Sequence, residues 1–155
     1  MTRFSLSYGG IEHLDLLTDH RLEMWKEIHP DMVDQVENSR ESTRKWIQSK
    51  LHNGSMVAMI VEEWNGSVAG SGCILIKEDQ PRPGSNMLNF PYLLSMYTLP
   101  DYRNMGVATI IVKEAIKWSI EKGYDRISLH ASRYGRALYE RFGFEQTNEM
   151  RLKLK

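Results

Sequence analysis

The dipeptide Asn65-Gly66 separates two runs, Ser55–Trp64 and Ser67–Lys77, both rich in apolar residues. Asn and Gly accept the positive φ values of a tight hairpin turn, so the two runs are expected to be antiparallel strands joined there. A hairpin needs cover for its apolar faces, and the segments around it read as helices and further strands. Phe4–Tyr8 alternates and reads as a short first strand. From Ile11 to Ile28, Leu14, Leu17, Met24, Trp25 and Ile28 recur at helical spacing, with Glu23 and Lys26 outside that stripe. Pro30 ends this helix. Gln35–Leu51 reads as a second, more polar helix with Val36, Ile47 and Leu51 as its apolar face, stopped by Asn53-Gly54.

Beyond the hairpin, Glu78–Phe90 carries Pro81 and Pro83 and is expected to be a mobile surface loop. Pro91–Leu99 is a strand with apolar residues on both faces, as a central, covered strand requires. Met105–Lys122 is a helix whose polar stripe runs through Lys113, Lys117 and Glu121, with Gly123 at its C-terminus. Arg126–Ala131 reads as a strand, Ser132–Phe142 as a short helix and Phe144–Leu154 as one or two closing strands. This order fits an α/β fold, a mixed sheet with helices on both faces, built as a single domain over residues 1–155.

Composition narrows the function. Twenty basic residues balance twenty acidic ones, which argues against general affinity for nucleic acid or an anionic membrane. Arg126, Arg133, Arg136 and Arg141 are interleaved with apolar residues rather than gathered into a basic patch. No apolar run approaches the roughly 20 residues that span a bilayer, and the start carries no signal-peptide pattern. The only cysteine, Cys73, has no partner for an internal disulfide and, mid-strand, reads as an inert packed thiol. A cytoplasmic protein without a structural zinc site is the expectation.

The chemistry concentrates in two segments. In Tyr97–Thr109, sequence YTLPDYRNMGVAT, a strand ends at Leu99-Pro100 and a helix begins near Asn104 or Met105. The first amides of that helix lack partners within it, and the helix dipole adds partial positive charge. Gly106 and Ala108 leave those amides open to a pyrophosphate, and Arg103 adds a charge-assisted donor. Neither GxxxxGK[ST] nor GxGxxG is present; Gly70-Ser71-Gly72 lies inside a strand and lacks the third glycine. The alternative is that Gly106 and Ala108 serve only close helix–sheet packing. The second segment, Leu129–Phe144, ends in Leu138-Tyr139-Glu140-Arg141-Phe142-Gly143-Phe144. Ser132 is its expected N-cap and Gly143 its C-terminal stop. Leu138 and Phe142, four apart, are expected in the core, with Tyr139 one position off that line.

Together these segments resemble the GNAT superfamily of N-acetyltransferases. Arg103–Ala108 matches the family's [RQ]-x-x-G-x-[GA] acetyl-coenzyme A motif, and Leu138–Phe144 matches its LYxxxGF block. The resemblance implies a GNAT-like central sheet, mixed but mostly antiparallel, of six to seven strands. It implies acetyl-CoA as acyl donor, no metal, and direct attack by a primary amine, with a small-molecule amine as acceptor. Met96, Tyr97, Thr98 and Leu99 would pair with the pantetheine arm, and amides around Met96–Tyr97 would polarise the thioester carbonyl. Arg103, Asn104, Met105, Gly106, Val107 and Ala108 would hold the pyrophosphate. Ser132 would touch the pantetheine arm, and Tyr139 would be the general acid. No nucleic-acid or membrane partner is implied, and a homodimer is left open.

One departure concerns the general base. Some relatives carry a carboxylate on the strand before the phosphate turn, whereas Tyr92–Leu99 has none. Glu27, Glu63 (beside Glu62) and His130 are the candidates, alongside a water relay. Two readings compete with small-molecule acetylation: a non-catalytic acyl-CoA sensor, which would not need Tyr139, and a protein or peptide N-acetyltransferase.

Overall fold

A computed structural model describes residues 2–155. Five strands form one sheet in the order β1-β2-β3-β4-β5. They are β1 (Phe4–Gly9), β2 (Met56–Glu63), β3 (Val68–Glu78), β4 (Asn89–Thr98) and β5 (Ser128–Leu129). The first four pair antiparallel and β4–β5 is parallel, so the sheet is mixed. The helices are α1 (Leu14–Ile28), α2 (Val33–Asn38), α3 (Arg40–His52), α4 (Val107–Glu121) and α5 (Arg136–Arg141). No helix among the described residues is long and apolar enough to cross a membrane.

The two-residue period of β2 divides the core. Met56, Ala58 and Ile60 pack with Leu14, Leu17 and Ile47 on the α1–α3 side. Met59 and Val61 pack with Ile111, Val112 and Ala115 on the α4 side. α4 is rich in β-branched residues, which costs a few tenths of a kcal/mol each in helix propensity. Burial of Val107, Ile111 and Val112, at about 1.5–3 kcal/mol each, outweighs that.

The hairpin forms where expected, through a looser turn. Only Gly66 has positive φ (85°); Asn65 instead accepts the Ser67 N–H at 2.9 Å, and Glu63 N–H reaches Ser67 O at 2.9 Å. The second helix divides at Ser39, whose hydroxyl donates to Val36 O at 2.6 Å and so competes with helix continuation. The first begins as a 3₁₀ turn at Ile11–His13, and Trp25 stays 36% exposed, stacked on His29. The expected mobile loop is tied at its base: Asp79 pairs with Arg126 and, at 2.8 Å, with Arg82, while Ser85 donates to Asp125.

Among the described residues the strand count is five rather than six to seven, because no closing strand forms in Phe144–Leu154. Met150, Leu152 and Leu154 alternate as a strand would, yet are 94%, 81% and 84% exposed. Alternation supplies a face but not a ladder, and β5 has only two paired residues, Ser128 and Leu129. The tail is held instead by Glu149, 2.8 Å from His130 Nε2. The strand expected at Arg126–Ala131 is reduced to those same two residues.

Candidate active site

The pairing of β4 creates the site. β4 contacts β5 only through Tyr92–Ser128 and Leu93–Leu129, so from Leu94 to Thr98 its outer edge faces no strand. On its other side the β3–β4 register shifts between Ser71 and Cys73, and Ser95 takes φ 55°. This bulge lies opposite Gly72, where a Cβ would come within 2.7 Å of Met96 Sδ and Ile111 Cγ2. Absence of a side chain at Gly72 therefore lets Met96 and α4 close over the bulge.

The gap opens into a cleft of about 1030 Å³ bounded by α1, β4, the turn before α4, and α5. It brings together Glu27, Met96, Tyr97, Thr98, Arg103, Asn104, Gly106, Val107, Ala108, Ser132 and Tyr139. Leu99, Met105 and His130 do not line it. His130 is on a neighbouring groove of about 940 Å³, shared only at Tyr139, and is paired with Glu149.

The turn is a built cradle. Asn104 and Gly106 both lie in the left-handed region, at φ 59° and 87°. Gly106 is the N-cap of α4, which starts at Val107 rather than Met105. Ile110 is the first α4 residue whose N–H finds an acceptor, Gly106 O at 3.0 Å. Earlier amides at Val107, Ala108 and Thr109 belong to cleft-lining residues, and the first turn carries no acidic side chain. Such a helix end suits an anion.

Arg103 is held beside this end. Its Nη2 donates to Glu27 Oε1 at 2.6 Å and its Nε to Thr98 O at 3.1 Å. Tyr97 Oη makes a longer, 3.5 Å contact with the same Glu27 oxygen. Glu63 faces elsewhere, accepting from Arg3 at 2.8 Å and Tyr102 Oη at 3.2 Å.

Tyr139 departs from its expected surroundings. It is the buried residue of α5, 8% exposed, whereas Leu138 and Phe142 are only partly buried. Helix α5 is also shorter than Ser132–Phe142: its N-cap is Gly135, and Ser132 starts the preceding turn through its carbonyl. Gly135 leaves room for the phenol, since a Cβ there would meet Tyr139 Cε2 at 2.8 Å. Gly143, φ 90°, ends the helix as expected. Burial pushes the Tyr139 hydroxyl up to about 12. It stays protonated through the physiological range, so a Tyr139-dependent reaction should show no falling limb below about pH 11. A pH–rate profile of kcat checks this.

A model of the acetyltransferase (GNAT) family matches residues 18–144. The chain belongs to this family. The GNAT chain superposes on a GCN5-related N-acetyltransferase from Ralstonia eutropha JMP134 with TM-score 0.91 and 26% identity, covering 97% of this chain and 98% of that one. A predicted acetyltransferase from Clostridium acetobutylicum, solved with acetyl-CoA, is similar at TM-score 0.85 and 24% identity, over 98% and 96% of the two chains. The aminoglycoside N-acetyltransferase AAC(6')-Iy, in complex with CoA, gives TM-score 0.70 at 18% identity, over 98% and 94%. A comparison with curated protein sequences finds no match.

Sequence reasoning missed Ser95, whose bulge carries no local sequence signal, and the contact between Glu27 and Arg103 across 76 positions. It also missed His20 Nδ1 bonded to Ser71 Oγ at 2.7 Å, both buried, with the His20 ring 5.1 Å from that of Tyr97.

Proposed function

We propose that this GNAT protein is an N-acetyltransferase that moves the acetyl group of acetyl-CoA to a small-molecule primary amine by direct attack. The observation that carries the reading is the continuity of the cleft: open amides at the α4 N-terminus, the unpaired edge of β4 and the Tyr139 phenol share one cavity. These residues fit the donor. The Asn104–Ala108 turn offers amides to a pyrophosphate, and Met96–Thr98 offers strand edge to an amide-bearing arm. At the bulge, backbone N–H groups beside Met96 would polarise the thioester carbonyl.

The amine must arrive without its proton, and the departing sulfur must gain one. Tyr139 is the proposed donor: its hydroxyl is protonated at neutral pH and its side chain lines the cleft. We assign proton removal to water rather than to Glu27, whose carboxylate already receives Arg103. Glu27→Gln should therefore lower kcat less than about tenfold, below the usual contribution of a general base. It should raise KM for acetyl-CoA, because Arg103 loses its orienting partner. Steady-state kinetics with each substrate varied checks both. Thiol release from acetyl-CoA that depends on an added amine tests the activity itself; binding without transfer to any amine would favour the sensor reading.

A further inference from the structure

One cation beside the bulge has no counter-charge. Arg21 lies on α1 one turn before Met24, which lines the cleft. Its Nη1 donates to Ser95 Oγ at 3.0 Å, and its guanidinium carbon sits 5.8 Å from the Trp25 ring centroid. Ser95 is the bulged residue next to cleft-lining Met96, so Arg21, which does not itself line the cleft, is held directly behind its wall at the bulge. Among the described residues no carboxylate lies within ion-pair distance of it, whereas Arg3, Arg40, Arg44 and Arg126 each have one.

The groups around Arg21 do not neutralise it. Cys73, on β3, is buried, and its thiol is pushed up to about 12, so it carries no charge at neutral pH. His20 is buried against Ser71, and burial lowers its proton affinity. Burial also pulls the Arg21 guanidinium down from its ordinary value, the mark of a cation without full solvation. A partly desolvated guanidinium with one neutral acceptor has several unfilled N–H donors, whose planar fork fits carboxylate or phosphate oxygens.

We propose that Arg21 is a specificity-determining residue that receives an anionic group of the acceptor, so that the substrates are amines carrying a carboxylate or a phosphate. This rests on the acetyl-transfer reading above and narrows it. A purely cationic polyamine would meet Arg21 as a like charge and is disfavoured. The alternative role for Arg21 is a tether for the bulge through Ser95. Arg21→Gln removes the charge and Arg21→Lys keeps it without the fork, so a loss confined to the anionic acceptor separates charge recognition from tethering, which would affect both acceptors.

The test is amine-dependent thiol release by wild type, Arg21→Gln and Arg21→Lys on matched acceptors. One arm sets α-amino acids beside their carboxamides; the other sets amino-sugar phosphates beside the unphosphorylated sugars. Wild type should favour the anionic member in one arm, which identifies carboxylate or phosphate. Arg21→Gln should lower kcat/KM for that member by about 10- to 100-fold, mainly through KM, and leave the neutral member within about threefold. Arg21→Lys should retain part of the preference. Equal losses on both members would overturn the proposal in favour of the tether, as would a wild type that acetylates amines without preferring the anionic one. If wild type acetylates no amine in either arm but does acetylate another primary amine, this inference alone fails; transfer to no amine at all removes the acetyl-transfer reading and this inference with it.

Discussion

Replacing Tyr139 by Phe should lower kcat roughly 10- to 1000-fold, the scale of general-acid assistance with partial rescue by water. The substitution deletes one oxygen and keeps the ring. That ring packs edge-on to Phe144, centroids 5.8 Å apart, and fills the space left by Gly135. Acetyl-CoA affinity should change little, because the hydroxyl's proposed partner is the departing sulfur. Tyr139→Ala would mix the chemistry with a cavity costing about 3–5 kcal/mol, so Phe is the informative change. Full kcat in the Phe variant, with chemistry shown to be rate-limiting by pre-steady-state kinetics, would make Tyr139 a packing residue.

Gly106→Val should abolish measurable acetyl-CoA binding, a loss of at least about 100-fold if two charge-assisted amide contacts go. Two effects combine. A Cβ on Gly106 meets no protein atom within 4 Å, so the valine side chain would occupy open space at the cradle. At φ 87°, any such residue also strains the backbone, by about 1–2 kcal/mol. Gly54→Val isolates the second effect. Gly54 has φ 75°, meets no protein atom within 4 Å and does not line the cleft. Both variants should melt lower than wild type by similar amounts, and only Gly106→Val should lose binding in calorimetry. Intact binding in Gly106→Val would remove the pyrophosphate from this turn.

Local chemistry made much of this site legible. Gly123 and Gly143 adopt the positive φ expected of helix stops, and strand, turn and helix follow one another around Arg103 as the residues suggest. What could not be read depended on distant partners. The bulge at Ser95 lies opposite Gly72, on another strand, which leaves room for Met96 and Ile111. Tyr139 is buried because Phe144 and Gly135 enclose it, which overrides the helical line through Leu138 and Phe142. The alternation of Met150, Leu152 and Leu154 resembles a strand, but alternation cannot report whether an edge is there to receive it. Arg21 carries no signal of its own within the α1 pattern; only the fold shows that no carboxylate among the described residues pairs with it.

In the proposed reaction one cleft both holds acetyl-CoA and passes its acetyl group to an amine. Its most direct test is to incubate the purified protein with acetyl-CoA and a mixed library of primary amines, following thiol release and acetylated products by mass spectrometry. Free CoA and an N-acetylated amine are expected in equal amounts, both falling together in Tyr139→Phe. Tight acetyl-CoA binding with no acetylated amine, or product formation indifferent to Tyr139, would contradict it.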